Sequence, residues 1–456
     1  MATLAGSHRF SRRWTTSSGS STPKSWLHAR RPDPAGHGAV ARLRPHEMTY
    51  VEKHRKNTKM QTTHNRPKTV DDYKAITRLH VPRWIAQRIL AVNYDLVEHI
   101  KHVLVKEPSF NEIYGVDSRE IDHLVHNAGS YRNLLGTPFL ILAPSLPTIE
   151  DWRCLFDDTP TTLTVDTLRR KMPPLRSPFT TQAIQHHNRQ FLDLVQSVAN
   201  TTVLSAPLLA MAPDVAQYLG ALPGYKFRTA LELIGDLPLF RWRFVSPAFW
   251  FEFTANELNV DQVAHHIMAT TPYRAGELPH TANWTELRLG RETHEMYAAA
   301  LMAHGCRAST ASNLFGLPQS KTRQMYMDIH GKRSPCGNQP NSVQWSVERP
   351  QQRLHSTVFI WLYRSALEMG ANSPQALIAS ADLYNQLFAD RALLATDRGF
   401  NLTRAMAADA RLSMGPCRAC RTHYIVSNNE SKIEMQHSFH CPACSNGLGT
   451  RGKGAK

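Results

Sequence analysis

The sequence predicts a mainly α-helical protein that ends in a small metal-binding segment. Apolar residues recur every three or four positions over several long stretches, which is the period of an amphipathic helix. Proline and glycine stand at the starts and ends of these stretches, where helices usually begin and stop. Four cysteines near the C-terminus form two Cys-x2-Cys pairs, a spacing typical of a zinc site. The chain has 456 residues, which is enough for about three domains.

The overall charge favours an anionic partner. The chain carries 53 Lys and Arg against 37 Asp and Glu, a formal net charge of +16, and this balance favours nucleic acid over an acidic protein or a membrane surface. No run of about eighteen apolar residues is present, so we expect no membrane span. Few cysteines and no secretory signal favour the cytoplasm. We find no phosphate-binding glycine loop, zinc-protease motif or nucleophile signature, and we therefore predict no enzymatic activity.

Residues 1–69 are predicted to form a disordered basic tail. Arginine, serine, glycine and proline dominate this stretch, and acidic residues are rare up to position 47. An organelle transit peptide has a similar composition. A start of translation further along, at Met48 or Met60, is another explanation of the same pattern.

The first helical unit is predicted over residues 70–156. Order should begin near Val81 and Pro82, because proline suits a first helical turn. The helix that follows has apolar residues on two faces, so it must be buried in a bundle or a dimer. Its two stripes are Ile85, Ile89, Val92, Leu96, His99 and Val103, and Leu90, Tyr94, Val97, Ile100 and Leu104. A short helix at 118–125 and a proline-rich stretch at 138–147 complete the unit.

A second unit is predicted over residues 182–275, after a Thr- and Pro-rich linker at 157–181. Its long helix begins like the first, with Asn188 in the place of Asn93, and a short helix follows in both. We interpret this as an internal repeat of about 95 residues; a coincidence between two amphipathic helices is the alternative. The aromatic residues at 240–253 fit a strand-like end or core packing. The His-His pairs at 186–187 and 265–266 are expected on helix surfaces.

Residues 285–415 are predicted to form a third helical domain. Helices at 295–304, 309–315 and 317–329 are each followed by glycine, at Gly305, Gly316 and Gly331. Two short helices and a basic third helix have the shape of a helix-turn-helix, although a plain helical bundle fits the same spacing. Two further helices are expected at 354–369 and 373–388.

The segment 416–446 is predicted to bind one structural zinc ion per chain through Cys417, Cys420, Cys441 and Cys444. Each Cys-x2-Cys turn can direct two thiolates at one ion, and two turns complete a tetrahedron with no open position. Two disulfides are the alternative. His437 or His440 could also replace a cysteine. A short basic tail follows at 447–456.

Three of these regions resemble subunits of one regulator, the bacterial flagellar master regulator. Both N-terminal units resemble FlhD, with an asparagine near the start of a long helix, then a short helix and a strand-like end; the second unit ends in Arg241-Trp-Arg-Phe244, which the first lacks. The third domain resembles FlhC through 317–331, the loop 334–345, 401–405 and the four cysteines. It departs from FlhC at His330 and Gln319.

The resemblance implies a single-chain fusion of two FlhD-like units and one FlhC-like domain. It implies a DNA-binding transcriptional activator that binds flagellar promoters and engages RNA polymerase. Two chains as a homodimer would equal the family's assembly of four FlhD and two FlhC. A zinc-stabilised interaction scaffold and an activator of other operons are the alternatives.

Basic residues near the third helix and the cysteines are the DNA-binding candidates, and most are expected to contact phosphates. They are Arg307, Lys321, Arg323, Lys332, Arg333, Arg418, Arg421 and Lys432, followed by Arg451, Lys453 and Lys456 in the tail.

Overall fold

The computed structural model describes residues 78–272 apart from 158 and 176, residues 290–337, and residues 342–448 apart from 409, 410, 430, 431, 434–437 and 446. The described residues all belong to one compact unit. They are mainly helical with few strands, which confirms the predicted fold class. The predicted disordered tail at 1–69 lies outside the described residues, as does the predicted basic tail at 447–456 from residue 449 onward.

The first segment is a long helix followed by short helices and one strand. The long helix is buried on both predicted faces except at Leu90, which is half-buried, and Tyr94, which is 47% exposed. Asp117 caps the third helix, where its side chain and that of Glu120 form a capping box. The elements are α1 (Arg83–Lys106), α2 (Asn111–Tyr114), α3 (Ser118–His126), α4 (Ala128–Leu135), β1 (Leu142–Pro144) and α5 (Ile149–Phe156).

The segment expected to be a linker contains a helix, α6 (Leu163–Lys171). The Thr162 side chain caps it, and the same hydroxyl donates a 2.6 Å hydrogen bond to Asp151 in α5. Val165 is fully buried. The linker prediction therefore needs correction, because threonine-rich composition also supplies helix caps.

The second segment repeats the order of long helix, short helices and strand. The aromatic residues at 240–253 are mostly buried, as the core-packing interpretation expected, although Phe251 is 72% exposed. The elements are α7 (Pro178–Thr201), α8 (Ser205–Leu208), α9 (Pro213–Ala221), α10 (Gly224–Ile234), β2 (Phe240–Trp242), α11 (Pro247–Thr254) and α12 (Val260–Thr270).

Helices α1 and α7 pack against each other in antiparallel orientation. Arg88 near the start of α1 donates a 2.7 Å bond to Ser197 near the end of α7. At the middle of both helices, Gln190 donates a 2.6 Å bond to Asp95. Asp95 and Gln190 stand 95 positions apart, which is the repeat length. Equivalent residues of the two segments thus meet at the centre of the helix pair, as expected for two units related by an approximate two-fold axis.

The asparagines at equivalent positions of the two segments bind equivalent stretches of backbone. Buried Asn93 donates to the carbonyl of Phe139 at 3.0 Å and accepts from the N–H of Ile141 at 3.0 Å. Asn188 makes the same two bonds one repeat later, at 2.8 Å to the carbonyl of Leu237 and at 2.9 Å from the N–H two residues further on. Each asparagine satisfies a buried donor and a buried acceptor at the start of a strand.

Those strands join the two segments into a small antiparallel sheet. Leu142 in β1 lies opposite Trp242 in β2, and Pro144 lies opposite Phe240. The strand of the first segment thus lies within its proline-rich stretch, although this stretch lacks the Arg-aromatic-Arg-Phe string. The helix pair and the shared sheet make one core from both segments.

The third segment forms seven helices and a small three-stranded sheet within the described residues. Glycine in the left-handed region ends α14 and α15, at Gly316 and Gly331. The helices are α13 (Arg291–Ala303), α14 (Ala308–Phe315), α15 (Gln319–His330), α16 (Trp345–Glu348), α17 (Pro350–Glu368), α18 (Ser373–Phe388) and α19 (Thr396–Ala408), and the strands are β3 (Leu412–Pro416), β4 (His423–Asn429) and β5 (Lys432–Ile433).

Helix α12 of the second segment packs against α17 and the β4 strand. His265 Nδ1 lies 2.8 Å from the Tyr424 hydroxyl, and His266 Nε2 lies 2.9 Å from Glu252. Both histidines are buried, so their expected surface position is wrong. Of the other pair, His186 is exposed. The spacing of apolar residues in α12 does not reveal that the third segment covers the polar side of this helix.

No helix among the described residues combines the length and the apolar character that a membrane crossing needs.

Candidate metal centre and nucleic-acid interface

The four predicted cysteines converge at one point. Their sulfur atoms all lie within 4.8 Å of one another, and Cys420 Sγ lies 3.6 Å from Cys441 Sγ. Zn–S bonds of about 2.3 Å at tetrahedral angles place two sulfurs about 3.8 Å apart. All seven cysteines of the chain lie in the described residues and all are free, so the two-disulfide alternative is not seen.

The backbone at each cysteine pair has the same turn. The N–H of Arg421 donates to the carbonyl of Cys417 at 2.9 Å, and the N–H of Ser445 donates to the carbonyl of Cys441 at 3.0 Å. The N–H of Cys441 also points at the sulfur of Cys417, at 3.3 Å. Arg421 has a φ of +64° to close its turn. Donors directed at sulfur stabilise thiolate over thiol, which is the form that a metal ion binds.

The cluster is half enclosed. Cys417 and Cys441 are buried, whereas Cys420 and Cys444 lie at the surface. A hydrogen bond from Cys441 lowers the pKa of Cys420, while burial raises the pKa of Cys444. A metal ion bound by these sulfurs would displace their protons.

Histidine does not belong to the sulfur cluster within the described residues. His440 is exposed, and its Nδ1 lies 3.1 Å from the carbonyl oxygen of Ser438. His437 lies outside the described residues. Four sulfurs at tetrahedral spacing fit a structural metal ion and leave no position for water.

Helices α13, α14 and α15 pack together as a three-helix unit. Phe315 and Leu317 flank the left-handed Gly316 and are both buried, as are Met325 and Tyr326 on the inner face of α15. The sharp turn between α14 and α15 fits a helix-turn-helix, in which the helix after the turn enters the major groove.

The outer face of α15 carries side chains that can hydrogen-bond to base edges. Exposed positions in its first two turns are Gln319, Ser320, Arg323 and Gln324. Arg can bond two acceptors of guanine, and Gln can bond adenine in the same way. The sequence analysis counted charges and so did not select Gln319, Ser320 and Gln324 as DNA contacts. The spacing of polar residues along the predicted helix was the signal that could have found them.

Lys321 and Arg323 lie on different sides of α15. Lys321 forms an ion pair with Glu295 of α13. Arg323 is exposed, and its nearest polar partner is Gln319 one turn earlier, at 3.2 Å. The two candidates therefore lie on different faces of α15, because residues two positions apart on a helix do not face the same way.

Arg307, just before α14, bonds both to α19 and to the loop after α15. Its Nε lies 3.2 Å from Asp397 Oδ2, and its Nη1 donates to the carbonyl of Gly337 at 3.2 Å. Asp397 is buried, so this guanidinium balances a buried charge. Ser334 accepts from the N–H of Ala308 at 3.0 Å, and together these bonds fix the loop after α15 beside its outer face.

The remaining candidates are distributed between two surfaces. Lys332 and Arg333 are exposed in the loop after α15, and a groove between this loop and α15 is lined by both Arg323 and Arg333. Arg418 and Arg421 are exposed at the first cysteine pair. The backbone of Lys432 lies in β5. The three basic residues of the tail, Arg451, Lys453 and Lys456, lie outside the described residues.

Comparison with known proteins identifies the third segment. Residues 289–454 match the family model "Flagellar transcriptional activator (FlhC)". The flagellar transcriptional regulator FlhC of Pectobacterium carotovorum is 26% identical over 151 residues, which are 32% of this chain and 76% of the relative. The FlhC proteins of Sodalis glossinidius (strain morsitans) and Yersinia enterocolitica are 28% and 25% identical over 153 and 152 residues, again 32% of this chain and 74% and 76% of the relatives. The similarity to FlhC thus covers about the C-terminal third of the chain, and residues 78–272 lie outside the match.

Proposed function

We propose that this chain is a DNA-binding transcriptional activator of the flagellar master-regulator type, controlling flagellar and motility operons. The observation that carries the proposal is the FlhC-family domain, whose relatives are named flagellar transcriptional regulators. In that domain a helix-turn-helix-like unit exposes Arg323 and hydrogen-bonding side chains on one helix face. The net charge of +16 supports DNA as the partner.

We further propose that the two N-terminal segments are FlhD-like units that form their dimer within one chain. The antiparallel contact of α1 with α7, the meeting of Asp95 with Gln190, and the matching bonds of Asn93 and Asn188 support this assignment. A covalent link holds such a pair at roughly millimolar effective concentration. The fusion would therefore form within one chain the dimer that separate subunits form only when they meet in solution.

The four-cysteine cluster is proposed to hold one structural zinc ion. Tetrahedral sulfur spacing and N–H groups directed at sulfur support zinc over a hard cation such as Mg²⁺. The ion would fix the turn of the first cysteine pair, which would present Arg418 and Arg421 beside the DNA.

Two chains are proposed to assemble as a C2 homodimer, equivalent to four FlhD and two FlhC, and to engage RNA polymerase at the promoter. Closed two-fold symmetry is the commonest outcome for identical chains. Such an assembly would place two α15 helices on one DNA site.

In vitro transcription tests the proposal. The chain alone, without separate FlhD or FlhC, is added to RNA polymerase and a flagellar promoter template, with a ribosomal promoter as the control. We expect more transcript from the flagellar template only. Equal transcription with and without the chain would contradict an activator. Stimulation of other operons but not of flagellar ones would show that the chain is a transcriptional activator with other target operons.

A further inference from the structure

A second cluster of metal-ligand side chains lies far along the chain from the cysteines. His80, just before α1, faces Asp382 of α18, with His80 Nδ1 at 3.4 Å from Asp382 Oδ1. His304, just after α13, approaches the same oxygen with its Nε2 at 3.8 Å. The three donor atoms all lie within 4.8 Å of one another.

These distances fit a shared ion better than direct hydrogen bonds. A hydrogen bond between nitrogen and oxygen spans about 2.7–3.2 Å, and both contacts are longer than that. Donors bound to zinc at about 2.0–2.2 Å with tetrahedral angles lie about 3.3–3.6 Å apart. The nitrogen-to-oxygen distances of 3.4 and 3.8 Å are close to that spacing.

One of the candidate ligand atoms is buried without a hydrogen bond. His304 Nε2 is buried and has no hydrogen-bond partner among the described residues. Asp382 uses its other oxygen, Oδ2, to accept from the N–H of Val81 and from Gln386 Nε2, both at 2.8 Å. Its Oδ1 is therefore the oxygen directed at the two imidazoles.

Neighbouring bonds hold each ligand in place. Gln386 donates to the carbonyl of Val81 at 3.1 Å, so the residue after His80 is bonded to α18 on both its N–H and its carbonyl. Thr396 donates to the carbonyl of His304 at 2.5 Å. Bonds of this kind orient metal ligands before the ion arrives.

We propose that His80, His304 and Asp382 form a second metal site, which takes a divalent transition ion of the zinc class. Two imidazoles and one carboxylate are a common three-ligand set for zinc, with the fourth position left to water. The His80 side chain is 33% exposed, which gives solvent access to that position. The ion would tie the N-terminal segment to α13 and α18 of the FlhC-family domain.

Metal stoichiometry of the untagged, full-length chain tests the site without reference to DNA binding. After dialysis in zinc-containing buffer and removal of loose metal, we expect about two zinc ions per chain. His304→Ala and His80→Ala should each retain about one ion, held by the cysteines. His186→Ala, which removes an exposed histidine of α7, is the matched control and should keep both.

Cobalt distinguishes the two sites by their spectra. The first site should give thiolate-to-cobalt charge transfer in the near ultraviolet, and the second should add only visible ligand-field bands, because it contains no sulfur. Asp382→Asn keeps the shape of the side chain and an oxygen that can accept from the N–H of Val81. The variant should therefore fold, and it should still lose the second set of bands. One cobalt equivalent in the wild-type chain, or two in both Asp382→Asn and His304→Ala, would overturn the proposal.

Discussion

At the residue scale, Arg243 shows how much of this fold depends on single buried polar groups. Its guanidinium donates to the carbonyls of Leu140 and Ile267, both at 2.7 Å, and to the hydroxyls of Thr270 and Thr271. Burial lowers its pKa to about 9, so the folded state disfavours the charge and the hydrogen bonds offset that cost. Arg243 therefore joins the first segment to the end of α12.

Removing the guanidinium should destabilise the whole core. Arg243→Ala removes all four of these hydrogen bonds and leaves the carbonyl of Leu140 without its donor, and we expect a loss of about 2–4 kcal/mol in the free energy of unfolding. Urea denaturation followed by circular dichroism measures it. Arg241→Ala is the matched control: Arg241 is exposed in β2, two residues before Arg243, so its loss should cost under about 0.5 kcal/mol. Equal effects of the two changes would show that the buried bonds contribute little.

Residue identities predicted the cysteine cluster but not the histidine clusters. Cys417 and Cys420 are close in sequence, and a two-residue spacing alone determines how their sulfurs point. His80, His304 and Asp382 come from three distant segments, and His265 is buried by a domain that follows it in the chain. Such groupings depend on tertiary packing, which local patterns do not encode.

At the element scale, helix ends were predictable because proline and glycine act locally. The third domain was expected to have helices followed by Gly305, Gly316 and Gly331, and all three glycines have positive φ. The pairing of β1 with β2 was not predictable, since it joins strands almost 100 positions apart. The helix within 157–181 was missed because its threonines were interpreted as linker composition.

Helix α15 provides a test of the interface at this scale. Arg323→Ala should weaken promoter binding about 10- to 100-fold, because Arg323 is on the exposed face and one base or phosphate contact is worth about 1–3 kcal/mol. Lys321→Ala should have a smaller effect, since that side chain is paired with Glu295. Arg119→Ala, an exposed change in α3, is the control. Fluorescence anisotropy measures all three; a larger loss for Lys321 than for Arg323 would reverse the assignment of the face.

The cysteine turns provide a second test. Cys417→Ser together with Cys420→Ser should release the ion of the four-cysteine site and unfold the β3–β4 region, because such sites fold only with metal. Metal analysis and amide hydrogen exchange of residues 412–429 detect both effects. Cys336→Ser is the control, since Cys336 is exposed and outside the cluster. Retention of full metal content by the double variant would refute the ligand set.

At the scale of the whole molecule, the proposal unites three functions in one chain: an internal dimer, a DNA-reading domain and a zinc-stabilised end. The described segments form one compact unit, with α12 packed on the FlhC-family domain through His265 and Tyr424. The proposed fusion would fix the ratio of two FlhD-like units to one FlhC-like domain, which for separate subunits depends on their concentrations.

The mass of the assembly tests the stoichiometry. Light scattering coupled to gel filtration should give twice the 51.5 kDa chain mass at about micromolar concentration, as a C2 homodimer requires. A mass equal to one chain across that range would remove the proposed equivalence to four FlhD and two FlhC.

The central claim is sequence-specific promoter binding by this single chain. Fluorescence anisotropy of the zinc-loaded chain, with and without residues 1–69, on a flagellar promoter fragment and on a scrambled one, over a salt series, tests it most directly. We predict a preference of about 10³-fold or more for the promoter, retained when the tail is removed. Equal affinity for both fragments that disappears with salt or with the tail would mean that the charge is only an electrostatic tether, and would favour a protein-interaction scaffold over an activator.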